Sequence, residues 1–176
     1  HRVSGETVCA AVDEAGRGCL AGPVVAAAAI FPPDLLIPRV NDSKKLSPKV
    51  REALYPEIIT QAIAFGIGIV DATEIDRINI LQASRKAMML AVQSLSQKPD
   101  VVLVDGRDVL DLDMPQETII DGDALSHAIA AASIVAKVTR DRMMHAFQQQ
   151  FPNFGFANHK GYGTGDHLDE IRRFGP

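Results

Sequence analysis

A chain of 176 residues, 47% of them hydrophobic and with a formal charge of −4, can bury one sizeable core but is too acidic overall for indiscriminate adhesion to nucleic acid. Its longest apolar run, residues 20–31, is broken by Gly22 and Pro23 and falls short of the ~20 residues a membrane helix needs; the opening HRVSGETVCAA lacks the layout of a secretory leader. Cys9 and Cys19 are too few for a disulfide framework and lack zinc-site spacing, so one cytoplasmic, monomeric domain over residues 1–176 is expected.

Residues 7–15 and 22–31 are apolar runs flanking the glycine-rich GRGCLAG and are predicted to form the two strands of a hairpin. The proline-rich FPPDLLIPRVNDSKK has little periodicity and reads as loop up to Ser47-Pro48, a helix cap followed by proline at the first helical position. That helix should run through VREALYPEII, kinked or shortened at Pro56. AFGIGIV, residues 64–70, is a third strand whose glycines allow close backbone approach. Thr73, with Asp76 three residues on, is the expected cap of one helix whose apolar positions Ile75, Ile78, Ala83, Ala87, Leu90 and Leu95 share a broad face. VVLVDG is a short buried strand ending at Asp105-Gly106, residues 111–116 are loop, 117–120 another short strand, and 124 to about 150 a long helix rich in alanine.

This order predicts a mixed α/β sheet with helices packed on it. A doubly wound dinucleotide-binding fold fits poorly, because the early hairpin is antiparallel and GRGCLAG is not GxGxxG in a βαβ setting.

Four acidic residues sit where the apolar pattern stops: Asp13 and Glu14 after the first strand, Asp105 after VVLV, and Asp123 after TIIDG. Singly, each has a structural reading. Asp105-Gly106 suits a turn, Asp123 suits a helix N-cap, and Asp13-Glu14 as a lone dipeptide fits structure and function equally. If strand ends bring them together, such carboxylates repel and raise one another's pKa unless cations neutralise them. Hard oxygen ligands without a His/Cys cage favour Mg²⁺ or Mn²⁺, in an arrangement suited to two-metal phosphoryl transfer.

DEAGRG, the NDSKKLS loop, VDG, the stretch from GDA through AASIVAKVTRDR, and the late HKGYGT resemble ribonuclease HII, the type 2 ribonuclease H family, in order and spacing over nearly the whole chain. The resemblance implies the ribonuclease H-like fold, a mixed β-sheet flanked by helices in a single α/β domain. It implies Asp13, Glu14, Asp105 and Asp123 as catalytic ligands of two Mg²⁺ or Mn²⁺ ions. Gly16, Arg17 and Gly18 match the turn that reads a ribonucleotide 2′-hydroxyl and its phosphate, and Tyr162 the tyrosine that stacks on the next sugar. Only glycine lets a backbone come that close to a ribose.

Asn41, Ser43 and Lys44 look like phosphate contacts, with Lys45 and Lys160 as weaker candidates. Lys137, Arg140 and Arg142 approach a site only if their helix is aimed at it, and a solvated or ion-paired face is the expectation for both arginines. His159 has two readings, a substrate contact or a structural residue before a glycine turn; His127 and His145 read as structural. Asp121 stands where many relatives have lysine, and Asp141 is a further decoy for the fourth ligand. The chain ends at RRFGP, where relatives usually continue through a basic segment and a helix.

The implied activity is endonucleolytic hydrolysis of the RNA strand of RNA/DNA hybrids, including cleavage 5′ of a single ribonucleotide in duplex DNA, as in ribonucleotide excision repair. The implied partners are therefore hybrid and ribonucleotide-containing duplex DNA, with no membrane. Ribonuclease HIII, with its extra N-terminal domain, is the enzymatic rival, and a noncatalytic hybrid-binding module is the rival of another class.

Overall fold

The two apolar runs around GRGCLAG pair as antiparallel strands β1 (Cys9–Ala15) and β2 (Val24–Ile30), with Asp13 opposite Ala27. These and the following elements are seen in a computed structural model that describes residues 7–176. Residues 1–6, on which the reading of no leader partly falls, lie outside the described residues.

Strand β3 (Ala64–Val70) adds antiparallel to β2, while β4 (Val101–Asp105) and β5 (Gln116–Ile119) extend the other side in parallel, giving the order β3-β2-β1-β4-β5. All seven residues of β2 are buried, as a strand with helices on both faces requires. On one face α3 (Ile80–Gln93) packs over Val12, Val24, Val102 and Val104. On the other, α1 (Pro48–Gln61) and α5 (His127–Gln150) bring Leu54, Ile58, Ile134 and Val135 against Ala15 and Ala27. The result is a mixed five-stranded sheet flanked by helices. The glycines of β3 serve packing: a Cβ on Gly68 would come within 1.9 Å of the Ala87 carbonyl oxygen, so the α3 backbone rests directly on the strand.

The helix begun at Ser47-Pro48 runs through Pro56 to Gln61, as far as the sequence predicts and two residues beyond, with Leu54 and Ile58 buried on either side of the proline. Two other helices are divided differently from what the sequence predicts. The expected single helix after β3 is two, α2 (Ala72–Ile78) and α3, parted by Asn79 at φ 69°; its first cap is Asp71, whose side chain accepts the Glu74 N–H, and not Thr73. The long final helix is likewise split. A short α4 (Gly122–Leu125) precedes Ser126, which turns extended and caps α5 by accepting the Ile129 N–H. Beyond α5 lie α6 (Phe156–His159) and α7 (Gly165–Phe174), for which the sequence reading named no elements. Among the described residues, no helix is long and apolar enough to cross a membrane.

Candidate active site

Parallel pairing of β1 with β4 sets Val12 beside Val104, so the residues that follow, Asp13 and Asp105, leave neighbouring strands at the same end of the sheet. Asp105 in turn pairs with Ile119 of β5, and the chain then bends through Asp121, in the left-handed region, into α4. This bend lets the Gly122 N–H donate to Asp105 Oδ1 at 2.7 Å and places Asp123 one residue further on, buried. Three separate strand ends thus supply the acidic residues to one region.

Their electrostatics carry the marks of crowding. Burial, followed by the charges of Glu14 and Asp105, pushes the Asp13 carboxyl well above the usual carboxylate range, against the Glu14 N–H that donates to its Oδ1 at 2.7 Å. Burial also raises Glu14, with Arg17 opposing and Asp105 reinforcing. Asp105 is raised by burial and by the charge of Asp123. Asp123 already has a cation: Lys44 Nζ stands 3.2 Å from its Oδ2. That hydrogen bond holds Lys44 above its ordinary range despite the opposing effect of partial burial.

A cavity of about 450 Å³ gathers Asp13, Glu14 and Asp105 with the turn 16–18, Ser43, Lys44, Lys137 and Tyr162. Asp123 does not line it; its carboxylate lies beneath Lys44. A larger cleft of about 750 Å³ shares none of these residues, and there Glu74 is paired with both Arg77 and Lys86 at 2.7 Å.

The turn combines two kinds of glycine. Gly16, at φ 104°, has no room for a side chain: a Cβ would lie 2.3 Å from Arg140 Nε. Gly18 is open: among the described residues, and apart from its own two chain neighbours, none comes within 4 Å of an added Cβ. Between them Arg17 reaches Asp108 Oδ2 at 3.1 Å and Glu14 Oε1 at 3.6 Å, so it is held over the carboxylates. Tyr162 joins the turn through an antiparallel bridge to Cys19, and Lys137 Nζ stands 5.2 Å from the centre of its ring. Burial, followed by the neighbouring Cys19, raises its hydroxyl.

The remaining sequence candidates divide. Ser43 is buried with its hydroxyl 2.7 Å from that of Ser133, so it ties the loop to α5 at the cavity floor. Asn41 is exposed outside the lining and spends its Oδ1 on the Asp42 N–H. Lys45 faces Asp42 at 3.7 Å, and Lys160 Nζ turns back to the Ala157 carbonyl. Asp121 is exposed, and Asp141 is engaged by Lys137 at 2.7 Å and Arg51 at 3.6 Å. His127 accepts the Ile37 N–H at 2.9 Å, and burial lowers its pKa, whereas His145 is exposed on α5 and not packed.

Arg142 is ion-paired with Glu52 at 2.6 Å, as a surface helix charge. Arg140 is neither solvated nor on an ion-paired face: it is fully buried, donating to the carbonyls of Pro23 at 2.8 Å, Lys160 at 2.8 Å and Ala21 at 3.0 Å. It clamps the chain after the glycine turn to the chain before Tyr162. Its place was traceable in the spacing, since Ala136 and Met144 stand four residues to either side on the buried stripe of α5. Asp108 and Ser133 carried no comparable signal.

The donor set suits a hard divalent cation: carboxylate oxygens, buried, mutually repelling and without histidine or cysteine. Among the described residues, no three acidic, histidine or cysteine side chains are already close enough to share an ion. The fit is therefore one of chemistry and placement, with Lys44 supplying a positive charge at Asp123.

A family model described as ribonuclease HII matches residues 10–176. The ribonuclease HII of Acetivibrio thermocellus is 53% identical over 171 residues, 97% of this chain and 67% of that protein. That of Geobacter metallireducens is 57% identical over 167 residues, 95% of this chain and 78% of that protein. The crystal structure of ribonuclease H2 from Pyrococcus horikoshii superposes with a TM-score of 0.78 at 30% identity, covering 96% of this chain and 89% of its own. Across such curated relatives the chain spans 64% to 80% of their length.

Proposed function

The chain belongs to the ribonuclease HII family, and from that membership we propose that it is an endonuclease that hydrolyses the RNA strand of RNA/DNA hybrids and cuts 5′ of single ribonucleotides in duplex DNA. The observation that carries this reading is the meeting, in one cavity, of Asp13, Glu14 and Asp105 with the open glycine turn and Tyr162.

Asp13, Glu14, Asp105 and Asp123 would hold two Mg²⁺ or Mn²⁺ ions, which when bound supply Lewis acidity for an activated water and a stabilised leaving oxygen. The chain's own residues do the recognition. Gly18, whose Cβ position is open among the described residues, leaves its main chain free to touch the ribose, and the 2′-hydroxyl is the group that separates RNA from DNA. Arg17, poised between Asp108 and Glu14, exchanges the Asp108 carboxylate for the flanking phosphate. Lys44, now paired with Asp123, is placed to meet a substrate phosphate, and would release Asp123 to a bound ion. Tyr162 offers its ring to the sugar of the next nucleotide, where a deoxyribose fits and a 2′-hydroxyl crowds. Hydrolysis leaves 5′-phosphate and 3′-hydroxyl ends.

The test is incubation of a duplex carrying one embedded ribonucleotide with Mg²⁺ and, separately, with EDTA. Cutting 5′ of the ribonucleotide in Mg²⁺ alone is expected. Binding without metal-dependent scission would overturn the reading in favour of a noncatalytic hybrid-binding module.

A further inference from the structure

The turn that carries Tyr162 is not held by its own main-chain bonds alone. Lys160 and Gly161 are consecutive left-handed residues, φ 52° and 82°, and the first pays the steric cost of a Cβ in that region. Tyr162 is 38% exposed, so the direction of its ring depends on the main chain beneath it. That main chain rests on two stacked imidazoles, His159 and His167, with centroids 4.2 Å apart and planes 12° from parallel.

The bonds around the pair fix its protons. The Gly161 N–H donates to His159 Nδ1 at 3.1 Å, so the proton of that ring sits on Nε2, which donates to Glu170 Oε2 at 2.8 Å. The other oxygen of Glu170 accepts the Gly155 N–H at 2.9 Å, anchoring α7 to the chain before α6. His167 Nδ1 donates to the Tyr162 carbonyl at 2.9 Å, while the Tyr162 N–H donates to the His159 carbonyl at 2.9 Å. The Tyr162 carbonyl, which also accepts the Thr164 N–H at 2.8 Å, thus ends on one ring of the pair, and its neighbour Gly161 on the other. The Gly161 carbonyl accepts the Leu20 N–H at 2.8 Å, which passes the same constraint to the glycine turn. Phe156 packs edge-on against both rings, a setting that two apolar side chains would fill at less desolvation cost. Polarity here is explained by the backbone it holds.

We propose that His159 and His167, braced by Glu170, are positioning residues for Tyr162, and that they set the selectivity for an RNA–DNA junction by fixing the angle at which its ring meets the sugar. This rests on the reading of Tyr162 given above, and the experiment separates the two. With Tyr55→Phe, Tyr162 is the sole tyrosine of a chain without tryptophan, so near-ultraviolet circular dichroism reports how firmly its ring is held. In that background His167→Leu removes the side-chain donor to the Tyr162 carbonyl, leaving the Thr164 N–H, and His167→Asn restores one near the Nδ1 position. Each is assayed for kcat/KM on a duplex with one ribonucleotide and on a continuous RNA/DNA hybrid.

His167→Leu is expected to lose the Tyr162 signal and to lower the junction-to-hybrid ratio about ten- to hundredfold, the scale of a misplaced contact group. His167→Asn should recover both, and His167→Leu added to Tyr162→Ala should cost nothing further in the ratio. A folded His167→Leu with an unchanged Tyr162 signal overturns the brace, as does a loss that multiplies with that of Tyr162→Ala. Loss of signal with an unchanged ratio upholds the brace and overturns the sugar-reading role, as an unchanged ratio in Tyr162→Ala does independently. If His167→Leu does not fold, Glu170→Gln carries the same comparison, since it weakens the hold on His159 without emptying the cluster.

Discussion

Arg140→Met removes a buried guanidinium and keeps much of its aliphatic volume, which isolates the effect of the three bonds to Pro23, Lys160 and Ala21. An acceptor left unpaired in the interior costs about 1–3 kcal/mol, so three would cost about 3–9 kcal/mol if none relaxed. Only the Pro23 bond is wholly buried; water can reach the other two, which favours the low end, about 3 kcal/mol. For a domain of this size each kcal/mol moves the melting point by about 2–4 °C, so a fall of roughly 6–12 °C is expected. Equilibrium urea unfolding followed by far-ultraviolet circular dichroism measures the loss directly, and Arg140→Lys, a single ammonium in place of a fork, should recover only part of it. A loss below about 1 kcal/mol, less than one orphaned carbonyl, would refute the clamp.

Asp13→Asn should abolish cleavage yet stabilise the ion-free protein at pH 7. The folded carboxyl is raised above its ordinary 3.8, so the native state holds a proton that the unfolded chain releases, and stability falls as pH rises from about that value through the raised one. Thermal melts in EDTA across this window should show the advantage of Asn shrinking toward acid, and a constant difference would contradict the crowding. Lys44→Met removes the cation at Asp123 and should raise Mn²⁺ affinity by calorimetry about two- to fivefold, the worth of a partly exposed pair. It should also weaken hybrid binding and reduce the salt slope by about one, whereas unchanged Mn²⁺ affinity would show that Lys44 does not compete. Gly18→Ala, in open space, should leave stability within about 0.5 kcal/mol while lowering ribonucleotide cleavage about tenfold or more. Full activity would mean that nothing approaches that main chain.

Much of the architecture was legible locally. The runs CAAVDEA, VVAAAAI, AFGIGIV and VVLVD each became a strand, because a continuous or alternating apolar pattern of that length has few other ways to bury itself. Acidic residues where those runs stop were visible for the same reason. The helix breaks at Asn79 and Ser126 were less so, since both lie within patterns that a helix could have continued; each residue caps the helix that follows it, and the second break precedes α5 just after Asp123, which faces Lys44.

Sequence alone determined the strands and the approximate course of the helices up to α5, where charge interrupts them, and the family that their ordered motifs resemble. Only the tertiary structure decided that Arg140 is a buried clamp, its guanidinium meeting a carbonyl 117 residues away, and that His159 and His167 stack beneath Tyr162. The physical reason is range. Periodicity and capping act over one or two turns of chain, whereas the partner of a buried polar group is set by which distant segments the sheet order brings together.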